Sequence, residues 1–325
     1  MTPTSSVQSR FLERVRGRMA ENISFADELA DLLNISRDSA YRRIRGETIL
    51  SLEEAKTLYG KFGISIDELF SDGSQMVTFH RRVVTHDGYD IEKWQNSVLK
   101  NLEYLNGFSE KKLIFSAKDI PVFHYFRLRD LCAFKHFFWL KTLIADPEFD
   151  KKHFTVEAVP PSLLHTAEKA WQKYSAIPTM EIWHEEIIYD TLKQIQFYHE
   201  CDFFTHPGEA VHLCDQLIEL LDAVADEASK GVKSGGGTFD LYKNDILIPD
   251  NSVFAKMGDK RCVYVNQSTL NLFLTFQEPF CEQTEIYLNN LIKKSILLSK
   301  IAERERTQFF FNMKKRILSF REKFT

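Results

Sequence analysis

Helix punctuation between residues 24 and 46 constrains this chain more than any other feature of its sequence. Ser24 precedes Phe25-Ala26-Asp27-Glu28, an N-cap followed by acids in the first turn, where negative charge opposes the positive end of the helix dipole. Leu29, Ala30, Leu32 and Leu33 continue an apolar face for about ten residues. Asn34-Ile35-Ser36 interrupts it, and Ser36 caps a second helix over Arg37 to Arg45, where Ala40 and Ile44 share one side and Gly46 provides the stop. The result is helix, three-residue turn, helix. Two such short helices must cross, which needs a small residue at their contact, supplied by Ala30, and an apolar one in the turn, supplied by Ile35. Ser51 with Glu54 forms a capping box opening a further helix that ends near Lys61-Phe62-Gly63, and Ser65-Ile66-Asp67-Glu68 begins a last short turn. Asp72-Gly73-Ser74 marks a boundary, giving an all-α head at residues 1–73 and a second domain at 74–325.

Length agrees with that division: 325 residues and 38.0 kDa suggest two domains with their own cores. With 44% hydrophobic and 27% charged residues, collagen-like and wholly disordered classes are excluded. No run of 18 apolar residues occurs, because Lys135, His136 and Lys141 break the greasiest stretch, Leu131 to Ala145. The opening residues, MTPTSSVQSRFLERVRGRM, carry no apolar run ahead of a small-residue cleavage site, so a cytoplasmic protein without membrane contact is expected. Cys132, Cys201, Cys214, Cys262 and Cys281 are odd in number and form no C-x-x-C pair, arguing against disulfides and zinc fingers. The net charge of −4 makes the chain no general polyanion binder, so nucleic-acid contact must come from local clusters. One lies at Arg10, Arg14, Arg16 and Arg18, another at Arg37, Arg42, Arg43 and Arg45.

Projecting the second motif helix at 100° per residue with Ala40 and Ile44 inward turns Asp38, Ser39, Arg42 and Arg45 outward and puts Arg37 at the amino-terminal edge. Arg42 is then the leading base-contact candidate, since a guanidinium fork fits guanine O6 and N7 together. Arg43, on the flank, is placed for a phosphate, and Ser36 at the helix start directs backbone N–H groups the same way.

The stretch ADELADLLNISRDSAYRRIRGE followed by SLEEAKTLYGKFGISIDELF resembles the Cro and phage-repressor (XRE) family of helix-turn-helix domains over about residues 10–70. Phe25 stands where that family often has a phosphate-contacting glutamine. The resemblance implies a five-helix head, double-stranded DNA as partner, transcriptional regulation and a homodimer. The bland alternative is a helical hairpin with solvated arginines.

Residues 74–325 read as α+β. Met76 to Val84, Lys112 to Ser116 and Val122 to Phe126 are strand candidates, and helices are expected near 91–105, 127–145, 162–176, 185–200 and 208–230. Ser234-Gly235-Gly236-Gly237 reads as a flexible link. An antiparallel meander follows at 239–248, 253–257, 261–266 and 271–276, then two long helices at 278–304 and 306–324. In the last helix Phe310, Met313, Ile317, Phe320 and Phe324 alternate at three and four. With Leu288, Leu291, Leu298 and Ala302 before it, the pair serves either a dimer seam or packing onto the meander.

Catalytic signatures are missing. Glu209 and His212 lie three apart, and His184, His199 and His206 accompany them, but no H-E-x-x-H occurs and no metal is assigned. Gly231, Ser234 and Gly235 spell G-x-x-S-G rather than a nucleophile elbow, and Gly235-Gly236-Gly237-Thr238 lacks the lysine of a phosphate loop. Phe134, Phe137, Phe138 and Trp139 are core residues or the lining of an apolar pocket. The expectation is a DNA-binding regulator with no catalytic residue and no cofactor, whose second domain senses a small-molecule or protein effector. The alternative is an enzyme or ligand-binding protein carrying an accessory DNA-binding head.

Overall fold

A computed structural model describes residues 6–19, 24–64, 77–81, 90–245, 251–268 and 270–324. The architecture is α+β, and the chain divides into two compact units, Met1–Phe79 and His80–Thr325.

The first unit contains helices α1 (Val7–Gly17), α2 (Phe25–Leu33), α3 (Arg37–Ile44) and α4 (Leu52–Phe62). The short segment expected from Ser65 lies outside the described residues, as do the boundary residues Asp72, Gly73 and Ser74. Its core is small: Phe11, Leu12 and Val15 of α1 meet Leu29 and Ala30 of α2, Ala40 of α3, and Ala55 and Leu58 of α4. Ser24 occupies the N-cap of α2 without a side-chain cap bond, whereas the Ser51–Glu54 capping box is formed on both sides. Asn34 ends α2 in the left-handed region at φ 52°, a conformation asparagine tolerates better than most residues, and Ile35 N–H then bonds Ala30 O at 3.0 Å.

The second unit is a mixed eight-stranded sheet covered on both faces. In order, its strands are β1 (His80–Arg81), β7 (Asn271–Thr275), β6 (Lys260–Ser268), β5 (Ser252–Met257), β2 (Lys111–Ser116), β3 (Thr179–Trp183), β4 (Phe239–Lys243) and β8 (Ile296–Leu297). Strands β2, β3 and β4 are parallel and joined by helices: α6 (Val122–Tyr125), α7 (Arg129–Phe138) and α8 (Pro161–Ser175) lie between the first two, and α9 (Tyr189–Glu200) and α10 (Glu209–Lys230) between the second two. The other pairings are antiparallel. Alternation along each central strand decides the layers. Leu113, Phe115, Trp183, Phe239 and Leu241 point into a large helical core, which also takes α5 (Ile91–Asn106) and α12 (Glu303–Arg321). Ile114, Phe254 and Val263 face the other way, onto Cys281 and Leu288 of α11 (Glu278–Lys293).

Four expectations are corrected here. The segment from Phe239 pairs in parallel with β3 and does not join the antiparallel run of β5, β6 and β7, because both of its faces are covered and it needs no hairpin partner. The first C-terminal helix ends at Lys293: Ser295 Oγ–H turns back to Leu291 O at 2.7 Å and accepts from Asn244 Nδ2 at 2.7 Å, and Ile296 and Leu297 then pair with β4. Val122 to Tyr125 is one turn of helix following Pro121, and α7 passes into a π-helical segment over Trp139–Ile144. Glycines 235 and 237 are packed rather than flexible. A Cβ on Gly237 would lie 2.5 Å from Ile177 O, and one on Gly235 would lie 2.2 Å from Ser175 Oγ.

Of the strand expected over Met76 to Val84, the described part pairs only as β1. Phe309, Phe310, Met313 and Ile317 of α12 are buried within the chain, with Phe320 and Phe324 against the same core. The packing is intramolecular, as one of the two readings of the last helix has it, but it is against α10 rather than onto the meander. No helix among the described residues is long and apolar enough to cross a membrane.

Candidate nucleic-acid interface

Helix α3 (Arg37–Ile44) carries the candidate residues. Ser36 Oγ accepts Ser39 N–H at 3.2 Å and donates to Ser39 Oγ at 2.9 Å, which fixes the first turn. Ala40 is fully buried against α2, so the opposite surface is turned out. Arg37, Asp38, Arg42 and Arg45 occupy that exposed surface, with Ser39 half-buried beside them. Arg37 pairs with Asp27 of α2 at 2.9 Å, Arg42 with Asp38 at 3.4 Å, and Arg45 with Glu47 at 2.6 Å. Solvent-exposed pairs of this kind contribute little, so each guanidinium can exchange its carboxylate for a phosphate or a base edge at little cost. The Arg45–Glu47 hydrogen bond holds the Glu47 carboxyl below its usual range and raises Arg45.

Arg43 is different. Its Nη2 lies 2.7 Å from Glu54 Oε1, its Nε 3.0 Å from the same oxygen and its Nη1 3.3 Å from Ser39 O, and its side chain is 15% exposed. Burial pushes Glu54 up, but hydrogen bonds from Arg43 and Ser51 outweigh it and leave the carboxyl below its ordinary value. Arg43 therefore ties α3 to the start of α4. Gln8 completes the brace: its Nε2 donates to Arg43 O and Thr48 O, both at 2.8 Å, and its Oε1 accepts Leu50 N–H at 2.9 Å. Arg14, Arg16 and Arg18 are exposed on and just beyond α1, the helix that Gln8 ties to the end of α3.

One residue on the exposed stripe escaped the sequence reading. Tyr41 is exposed between Arg37 and Arg45, with Arg37 Cζ 5.9 Å from its ring centroid. Its signal was positional: it lies four residues from each arginine.

The second unit holds buried polar clusters that the sequence did not flag. Glu181, fully buried on β3, accepts from His124 Nε2 at 3.0 Å, from Trp183 Nε1 at 2.9 Å and from the Tyr174 hydroxyl. Lys233 Nζ donates to Tyr174 O and Thr179 Oγ1, both at 3.0 Å, and burial pulls its pKa down to about 7 against the pull of Glu181 and Glu227. Just beyond β2, Asp119 accepts from Tyr125 Oη at 3.0 Å and lies 3.8 Å from Lys135 Nζ, which also reaches Gln194 Oε1 at 2.9 Å. Burial raises Asp119 and lowers Lys135. A lysine and histidine inside the apolar stretch 131–145 were the available sign, since charge at a core position needs a partner.

Among the described residues the histidines do not gather into a ligand cluster. His212 pairs with Asp130 at 2.8 Å and His184 Nε2 with Lys118 O at 3.1 Å, and no group of three ligating side chains occurs among the described residues. Phe134, Phe137, Phe138 and Trp139 are core. In comparison with known proteins, the chain matches no family model, no curated protein and no solved structure.

Proposed function

We propose that this chain is a sequence-specific DNA-binding transcriptional regulator of the cytoplasm, acting as a homodimer and without catalysis. Residues 1–73 form its Cro and phage-repressor type helix-turn-helix head, and residues 74–325 an effector-sensing or interaction domain containing an antiparallel meander. The observation that carries the reading is the exposed stripe of Arg37, Tyr41, Arg42 and Arg45 on a short helix packed through Ala40 across its neighbour. Such a helix enters a major groove about 12 Å wide with its polar face to the base edges. Arg42 reads a base, while Ser36, Arg37 and Arg45 hold the phosphates on either side. Asp38 and Ser39 lie close enough to the groove to tune base preference. The test is titration of a duplex selected from a random pool at fixed salt, comparing the native chain with Arg42→Ala, because phosphate contributions change steeply with ionic strength.

A second reading rests on Asp119, Tyr125 and Lys135. Perturbed titratable groups beyond the carboxyl end of a parallel strand are where α/β sheets bind small molecules, which favours a ligand-binding or enzymatic second unit carrying an accessory DNA-binding head. Its test is Lys135→Met in a thermal-shift metabolite screen. A ligand that stabilises the native chain and not the variant supports it.

A further inference from the structure

Asp38 is the one acid within α3, a helix that carries three arginines. A carboxylate in a first turn opposes the helix dipole, but this turn is already fixed without it. Ser36 Oγ accepts Ser39 N–H at 3.2 Å and donates to Ser39 Oγ at 2.9 Å. The Asp38 side chain is 76% exposed, and its ion pair is the loose 3.4 Å contact with Arg42, itself 59% exposed. The other acids beside the exposed stripe stand off the helix, Asp27 on α2 next to Arg37 and Glu47 beyond the end of α3 next to Arg45. Asp38 lies on the stripe itself, four residues before Arg42. At about 1.5 Å of rise per residue the two are separated by about 6 Å along the axis, close to two base-pair steps of about 3.4 Å.

We propose that Asp38 is a specificity-determining residue of this face, accepting a hydrogen bond from the N4 amino group of a cytosine within two base pairs of the guanine taken by Arg42. The inference rests on the DNA-binding reading and deepens it. Its reason is the sign of the groups. In the major groove guanine shows two acceptors, thymine an acceptor and a methyl, adenine a donor beside an acceptor, and cytosine a donor alone. A carboxylate only accepts, so guanine and thymine repel it, adenine suits it by half, and cytosine suits it fully. Phosphates repel it too. Asp38 therefore lowers affinity for DNA in general while favouring one sequence, which is how a repulsive element produces discrimination. Little is lost in opening the exposed Asp38–Arg42 pair, and a cytosine near a guanine gives each member a new partner of the right sign.

The experiment is duplex selection from a random pool by the full chain at one fixed salt concentration, native and with Asp38→Asn or Asp38→Ala, followed by titration of the native motif and of a scrambled duplex. The native motif should carry a cytosine within two base pairs of the guanine whose identity is lost in Arg42→Ala. Asp38→Asn should exchange that cytosine for adenine, because an amide donates to N7 and accepts from N6. Asp38→Ala should leave the position degenerate and cut the ratio of affinities for the native motif and the scrambled duplex roughly tenfold, while affinity for the scrambled duplex rises. A loss of helix stability weakens both duplexes together, so a purely structural role for Asp38 gives no such rise. Both variants should melt with the native chain, since the side chain is exposed. A native motif without that cytosine, or variants that recover the native motif unchanged, overturns the inference and leaves the DNA reading standing. A native chain that enriches no duplex removes the DNA reading and this inference with it.

Discussion

Two neighbouring arginines of one helix, Arg42 and Arg43, differ in exposure and in partners. Arg42 is exposed and weakly paired, so Arg42→Ala should leave the stability of the head within about 0.5 kcal/mol and lower affinity for the selected duplex by about 1–3 kcal/mol, with relaxed preference at one base pair. Arg43, expected from sequence to hold a phosphate, is occupied by Glu54 and Ser39 O. Arg43→Ala should destabilise the head by about 1–3 kcal/mol by leaving Glu54 without its partner, and thermal melting of the full chain should show the head's transition shifted to lower temperature or lost. In the second unit, His136 Nδ1 donates to Cys132 O at 2.8 Å and burial lowers the ring to about 4. It is therefore neutral when folded and protonated below about 6.5 when unfolded. That contribution to stability is complete above the unfolded value and is lost as pH falls from about 6.5 towards 4, by on the order of 3 kcal/mol. Denaturant midpoints across this range should show the fall, and His136→Gln should flatten it. A native profile flat between pH 7 and 4 would contradict the assignment.

At the scale of elements, local rules and long-range packing divide what the sequence reveals. The two motif helices were legible because Asn34, Ser36, Gly46 and the Ser51–Glu54 box act within a few residues of where they stand. The same local rules do not reach the Arg43–Glu54 pair, since the capping box accounts for one Glu54 oxygen and the other faces a residue eleven positions away. Strand β4 is legible as a strand but not as a neighbour of β3, because their pairing is made across a crossover that runs from Trp183 to Phe239 and contains two helices. The glycine run shows the same limit. Gly236 is needed at φ 89° with open space around it, whereas Gly237 approaches the backbone of Ile177. Gly236→Ala should cost about 1–2 kcal/mol through the left-handed backbone, and Gly237→Ala roughly 3 kcal/mol or more, because a carbonyl cannot move aside. Chemical denaturation of the two variants distinguishes a packed turn from a flexible link, for which both costs would be near zero.

For the whole molecule, a single short recognition helix contacts too few base pairs to select a site in a genome, and duplication is the economical remedy. Two heads on a two-fold dimer require a two-fold site with half-sites about 10 bp apart or a multiple of that spacing. A regulatory second unit adds a reciprocal condition: a ligand that changes operator affinity tenfold needs ~1.4 kcal/mol of differential affinity, and operator DNA must change ligand affinity by the same factor. All of this depends on whether the exposed arginine stripe of α3 reads DNA. The most direct measurement is selection of duplexes from a random pool by the full chain at one fixed salt concentration, in parallel with Arg42→Ala. The account predicts one enriched motif with two-fold related halves, weakened and degenerate at a symmetric pair of positions in the variant. No enrichment, or the same motif recovered at the same strength by Arg42→Ala, would contradict it.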